Sequence, residues 1–301
     1  MANIGAYTVI GAREDLTSKL IQSGDETATI FGNFTMQTNA TNKLHEWQDW
    51  ALPSPAANAQ LDGFTPSPSG IVRSRRSNST QIFTRAFEVT NSVLEGLDIA
   101  GVANELEFQS QAYLKAMHRD INYALINNTG AVTGDGSAAA KFSGIFSSVT
   151  TNLSKPAATT SVFVESEILA MIKSIFDQTG EVSTNLKCFA NSGSVNNILS
   201  FTGLGKTQYV TETTKEHNRL VTLIITNFGN ITIIPDTMLS ATGKLAILNM
   251  NYWALAWKRA IKMIPLAITK DARTAYWVTE LTIEYLREKA NAIMTGIVST
   301  Y

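Results

Sequence analysis

Four of the chain's seven prolines, Pro53, Pro55, Pro66 and Pro68, fall in one short stretch, and their neighbours are mostly Ala, Ser and Gly. Proline has no amide hydrogen and clashes with the preceding helical turn, so this stretch is neither helix interior nor central strand. Its small side chains leave it little to bury. Structureless loops this long are uncommon inside compact domains and usually serve a function. Extended segments flank it, Trp47-Gln48-Asp49-Trp50 before and residues 81–89 behind. The expectation is a two-stranded hairpin over residues 46–92 that projects from the body and is buried only against another molecule.

A strong helical signal follows. Ile99, Val102, Leu106, Tyr113, Met117, Ile121 and Leu125 recur at three, four or seven residues, with Glu105, Gln109, Lys115 and Asn122 on other faces. Asp98 offers an N-cap and Asn127-Asn128-Thr129-Gly130 a stop. A helix over 98–128 would run about 40 Å at 1.5 Å per residue. Residues 1–45 lack a dominant period apart from a helical patch at 13–21, and read as an extended arm. After a Gly/Ser/Thr-rich stretch, helices are expected over 165–178 and 192–200. Strands are expected over 186–190, 219–226, 231–234, 245–248 and 252–257. The run 276–286 alternates with period two and sets Trp277, Leu281, Ile283 and Tyr285 on one face. The fold class is α+β.

Tests for chemistry are negative. Gly203-Leu204-Gly205-Lys206-Thr207 resembles the end of a phosphate-binding loop, but Ser200 stands where the motif needs its first glycine. His45-Glu46 begins like a zinc-protease helix, but Asp49 stands where the second histidine belongs. The chain has three histidines, His45, His118 and His217, in an arm, a helix and a loop. Acidic neighbours Glu14-Asp15 and Asp25-Glu26 read as solvated, Glu105 and Glu107 do not face each other on a helix, and Arg119-Asp120 reads as two exposed charges. Lys and Arg number 24 against 25 Asp and Glu, a net charge of −1, so no general grip on nucleic acid is expected. The one cysteine, Cys188, lies in an apolar run and reads as a buried thiol. Residues 220–235 are apolar but carry a turn at Asn227-Phe228-Gly229-Asn230, which argues for two strands and not a membrane span.

The order of these pieces resembles the Hong Kong 97 capsid fold, and more closely the SU-ten-like major head protein family of tailed bacteriophages. The likeness rests on Gly11-Ala12-Arg13-Glu14-Asp15-Leu16 with Glu26-Thr27-Ala28 in the arm, and on Thr41-Asn42-Lys43-Leu44-His45-Glu46-Trp47-Gln48 ahead of the hairpin. It continues with Asn78-Ser79-Thr80-Gln81-Ile82-Phe83 in the returning strand and Arg119-Asp120-Ile121 in the helix. Thr226-Asn227-Phe228-Gly229 with Ile234-Pro235, and Thr279-Glu280-Leu281-Thr282-Ile283-Glu284 near the C-terminus, complete it. Two positions depart from the family pattern: an acid is expected at or beside Trp50, and Asn227 replaces an acid in the turn.

The resemblance implies an N-terminal arm (1–45), an extended hairpin or E-loop (46–92) and a peripheral domain with a long spine helix (93–160). It also implies a central axial domain (161–258) and returning peripheral strands (259–301). It implies no enzymatic activity and no cofactor. Copies would form hexamers and pentamers of an icosahedral head around double-stranded DNA, with only weak inner-surface DNA contacts. Portal and scaffolding or cement proteins would be further partners; no membrane is involved. The location would be the virion, after assembly in the host cytoplasm. Expected contacts between copies are Trp47, Trp50, Arg73, Arg75, Arg76, Phe83, Arg85, Glu105 and Glu107, with hairpin arginines pairing carboxylates at the start of a neighbour's spine helix. An encapsulin-like bacterial compartment is the nearest alternative, and an unrecognised α/β enzyme a more distant one.

Some relatives in this fold join a hairpin lysine to a neighbour's asparagine. Here no lysine occurs between Lys43 and Lys115, and arginine stays protonated near neutral pH. Denaturing gels of boiled mature particles should show one band near 32.7 kDa; a ladder of covalent oligomers would refute this expectation.

Overall fold

The computed structural model describes residues 28–96, 102–156, 162–201, 223–239 and 243–298. The helical patch at 13–21, Asp98, Ile99, the glycine run at 203–207 and His217 lie outside the described residues.

In chain order the elements begin with α1 (Thr29–Gly32), β1 (Met36–Asn39), β2 (Leu44–Trp50), β3 (Arg73–Ser79), β4 (Gln81–Thr90) and α2 (Asn91–Gly96). They continue with α3 (Glu105–Asn127), α4 (Ile145–Ser148), β5 (Leu153–Ser154), α5 (Glu165–Thr179), β6 (Ser183–Ala190) and α6 (Ser192–Ser200). Then come β7 (Leu223–Thr226), β8 (Gly229–Pro235), β9 (Lys244–Asn249), β10 (Trp253–Pro265), β11 (Ala272–Tyr285) and β12 (Ala292–Thr295). They make a four-stranded sheet β1-β10-β11-β4, a six-stranded sheet β5-β12-β9-β6-β8-β7 and the isolated pair β2-β3.

The long helix α3 starts at Glu105, later than periodicity suggests. Asn104 caps it, its side chain accepting the Glu107 amide at 3.3 Å, with Glu105 and Glu107 in the first turn where the helix dipole favours acids. Val102 therefore lies before the helix. Met117, Ile121, Ala124, Leu125 and Ile126 are buried. Tyr113 stacks on Phe87 of β4 at 5.8 Å, and Trp277 of β11 donates its indole N–H to the Ser110 carbonyl at 2.8 Å. These contacts lay the helix across the four-stranded sheet.

The hairpin differs from expectation in its returning strand. β2 pairs with β3, from Leu44 opposite Ser79 to Trp50 opposite Arg73. Residues 81–90 instead pair with β11. The reason is side-chain supply. Phe83, Phe87 and Val89 alternate as buried residues and give β4 a face for the helix, whereas Arg73-Ser74-Arg75-Arg76-Ser77-Asn78-Ser79 has no apolar face to bury. The chain crosses from hairpin to sheet at Thr80, whose amide donates to the Lys43 carbonyl at 2.8 Å.

Two other boundaries move. β10 continues across residue 258 as one strand paired with β11, with register shifts between Trp257 and Arg259 and between Arg259 and Lys262. β12, with Ala292, Ile293 and Met294 all buried, pairs with β9 and β5 and so belongs to the six-stranded sheet.

Two cores lie on opposite faces of that sheet. Phe189, Ala246, Leu248 and Ile293 point toward α3 and toward Leu281 and Ile283 of β11. Leu186, Cys188, Leu245, Ile247 and Met294 point toward Ile168, Ile172 and Ile175 of α5. This is the period-two alternation of a strand covered on both sides. Burial pushes the Cys188 thiol up to about 12, so it stays neutral. Between the sheets sits Asn291. Its side-chain oxygen accepts from the Asn249 amide at 3.0 Å and the Trp253 indole at 2.7 Å, and its amide donates to the Arg287 and Glu288 carbonyls.

Met117 and Ile121 are fully buried in the same cluster as Leu281 and Ile283. Met117→Ala or Ile121→Ala should each cost about 2–5 kcal/mol in urea unfolding. Tyr123→Ala, on the exposed face, should shift stability by no more than about 0.5 kcal/mol. Equal effects from the buried and exposed positions would show the helix face to be misassigned.

Candidate assembly interface

The β2-β3 hairpin has two different faces, because side chains of directly opposed residues project together. The inner face carries His45, Trp47, Asp49, Arg76 and Asn78. Trp47 is buried, packs edge-on against Tyr285 at 5.1 Å and donates its indole N–H to the Tyr285 carbonyl at 3.0 Å. Arg76 pairs with Asp49 at 2.9 Å and lies 5.9 Å above the Tyr285 ring. Asn78 donates to the Ile283 carbonyl at 3.0 Å and accepts the Ser143 amide at 2.8 Å. His45 meets the Glu284 carboxylate at 3.3 Å. The zinc-like His45-Glu46…Asp49 spacing is therefore spent on holding a hairpin, and no cluster able to hold a metal occurs among the described residues.

The outer face carries Leu44, Glu46, Gln48, Trp50, Arg73, Arg75 and Ser77, all exposed. Trp50 is 61% exposed. Arg75 reaches only Glu46, at 3.6 Å, and Arg73 makes no ion pair among the described residues. Beyond them the connecting segment 51–72 has no regular pairing and exposes Leu52, Leu61, Phe64, Ile71 and Val72.

The remaining residues expected at contacts between copies are engaged within the chain. Phe83 is core, 6.2 Å from Phe142. Arg85 forms a fork on Asp120 of α3 at 2.5 and 2.6 Å, so it ties sheet to helix, and Asp120 is not a lone solvated charge. Glu105 accepts from Gln109 at 2.6 Å and Glu107 from Gln111 at 3.4 Å, each one turn along the helix. No hairpin arginine meets Glu105 or Glu107 in the chain's described ion pairs.

A row of acids went unnoticed in the sequence. Glu280 and Glu284 lie on the β11 face opposite Leu281 and Ile283, and both are buried. Burial opposes the charge of Glu280, but hydrogen bonds from Lys258 (2.9 Å) and Thr80 (2.8 Å), with the charges of Lys258 and Arg259, hold it below the ordinary range. The His45 hydrogen bond does the same for Glu284 against its burial, helped by Thr38 at 3.0 Å. Glu288 follows: burial opposes its charge, while Thr151 and the amides of Thr150 and Thr151 favour it. The signal available was period-two spacing of Glu280, Thr282 and Glu284 opposite an apolar face.

Solved structures with similar backbones include the Cyanophage Pam1 capsid (TM-score 0.68, 7% identity, 99% of each chain covered). They also include the capsid of a native GTA particle (0.66, 10%, 97% of each chain). An encapsulin, SrpI from Synechococcus elongatus PCC 7942, is similar too (0.64, 9%, 100% of this chain and 98% of that one). At these identities the likeness shows the fold alone, which is the Hong Kong 97 type. No curated protein sequence matches. The family model for the SU10 major capsid protein matches residues 3–298. A hairpin that exposes apolar side chains at its tip, a spine helix laid on a four-stranded sheet, and a family match over nearly the whole length agree: the chain belongs to the SU10 major capsid protein family, and its role is structural, not enzymatic.

Proposed function

We propose that copies of this capsid subunit close into a head of hexamers and pentamers around double-stranded DNA, and that the outer face and tip of the hairpin form the contact each copy makes on the next. The observation that carries this is the exposure of Trp50 at the end of β2 and of Leu52, Leu61, Phe64, Ile71 and Val72 on a segment with no regular pairing among the described residues. Full burial of such a side chain contributes about 1.5–3 kcal/mol. Several together offset the cost of ordering the segment and of association. A two-stranded hairpin alone is marginal in water, which fits an element completed by assembly.

In this reading the arm precedes β2, and α3 with the four-stranded sheet forms the peripheral domain. The six-stranded sheet with α5 and α6 forms the axial domain. Trp50, Arg73 and Arg75 are the contact residues, while Trp47, Arg76, Phe83 and Arg85 position the hairpin and its foundation. Glu105 and Glu107 remain the acids proposed to receive Arg73 and Arg75 on a neighbour. Portal, scaffolding or cement proteins would complete a particle assembled in the host cytoplasm. The family match favours this over an encapsulin-like compartment, which shares the fold.

The Leu61→Ser/Phe64→Ser double variant should lower shell yield in electron micrographs at least about tenfold, while changing subunit stability by no more than about 0.5 kcal/mol. Normal shells from this variant would remove the tip from the interface. Amides of residues 51–72 should exchange fast in dissociated subunits and slowly in shells; slow exchange in a verified monomer would contradict the proposal. With net charge −1, free subunits should bind duplex DNA weakly at physiological salt, as read by fluorescence anisotropy. A tight, steeply salt-dependent complex would overturn that part.

A further inference from the structure

The hairpin base is attached to the body mainly through polar groups, whereas β1 is also held by its parallel ladder to β10. Of β2 and β3 together, Trp47 is the one buried apolar side chain, and β1 has none. Their attachments converge on residues 280–285 of β11. Thr38 of β1 and His45 of β2 share the Glu284 carboxylate, at 3.0 and 3.3 Å. Thr80, at the exit from β3, donates to Glu280 at 2.8 Å. Asn78 and Trp47 donate to the Ile283 and Tyr285 carbonyls.

The sheet face beneath is polar and imperfectly matched. Alternation puts Glu280, Thr282 and Glu284 side by side on it. Among the described residues the buried Thr282 hydroxyl has no partner, and neither has the buried Ser79 hydroxyl at the end of β3. A buried polar group without a partner weakens the seam that hides it. On the opposite face of the same strand, Leu281 and Ile283 sit in an apolar core. One strand thus carries a tight apolar face and a loosely matched ionic face, and the hairpin rests on the ionic one and on the Tyr285 ring at the strand's end.

We infer that Glu284 and Glu280 are an acid-labile fastening: when they lose their charge, the hairpin base comes off β11 while β1 keeps its ladder to β10 and both apolar cores stay folded. The groups facing these carboxylates are named by the structure. Glu284 faces His45 from β2 and Thr38 from β1. Glu280 faces Lys258 and Arg259 from β10 and Thr80 from the hairpin exit. Each proton added turns a charge-assisted acceptor into a neutral group that holds its donors less strongly.

The sign follows from the direction of the shifts. Both carboxyls lie below the ordinary glutamate value of 4.5 in the fold. Their contribution is full above that value and is lost as pH falls through the folded one. Release therefore begins below pH 4.5. Glu288 titrates in the same direction but grips residues 150–151, so its loss should loosen a different segment.

The test is hydrogen exchange on the dissociated full chain, corrected for intrinsic rates at each pH, so it stands or falls separately from shell assembly. Glu284→Gln at pH 7 should speed exchange of residues 44–50 at least about tenfold, the factor expected for losing one charge-assisted hydrogen bond. Residues 117–126 and 244–249 should stay protected. Glu288→Gln should instead act near residues 148–153. If Glu284→Gln does not fold, the wild-type chain taken from pH 7 to about 3.5 carries the test, with the hairpin base opening before the cores. Unchanged exchange at 44–50 in variant and acid, or opening of hairpin and cores together, would overturn the inference.

Discussion

The described structure turns on β11 being paired on both edges and covered on both faces. β10 and β4 flank it, the apolar side chains of one face meet the core beneath α3, and the hairpin base hides the other. A strand so enclosed must neutralise anything charged that it carries. Glu280 and Glu284 therefore draw in Lys258, Arg259, Thr80, His45 and Thr38. Removing a partner from a buried charge is far more costly than removing an exposed pair. Those two acids accordingly decide where β1, the hairpin and the middle of β10 can lie.

Much of this was legible in the sequence, and the failures share a cause. The spine helix, the C-terminal alternation and the strand pair around Asn227-Phe228 come from local periodicity, which survives folding unchanged. The proline-rich segment announced a projection. The returning strand was misplaced because residues 73–79 and 81–89 are both extended, and only tertiary contact decides which one receives a helix. The Arg85 pair with Asp120 spans 35 residues, beyond any local pattern. The glutamates of β11 alternate with Leu281 and Ile283, a spacing that does not by itself distinguish a solvated from a covered face. Their burial depends on a hairpin contributed from more than 200 residues earlier, as the Asn78 bond to Ile283 across 205 residues illustrates.

Charge placement divides the hairpin's labour. Inner arginine Arg76 is matched by Asp49 and by the Tyr285 ring, while outer Arg73 and Arg75 are left with at most a long contact to Glu46. Exposed ion pairs contribute little in water, so neither outer arginine stabilises the subunit appreciably. Their guanidinium forks keep their capacity for a planar acceptor elsewhere.

Asn291 and the hairpin would answer force in opposite ways. The β2-β3 ladder, pulled at its tip, parts one rung at a time, so its strength is that of a single bond. Asn291 joins Asn249, Trp253, Arg287 and Glu288 through four bonds made by one buried side chain. Two of these, to the Asn249 amide at the end of β9 and the Trp253 indole at the start of β10, join the two sheets, while the bonds to Arg287 and Glu288 close the turn from β11 into β12. A load drawing the sheets apart at that point would meet both bonds together, where a load on the hairpin tip meets one rung at a time.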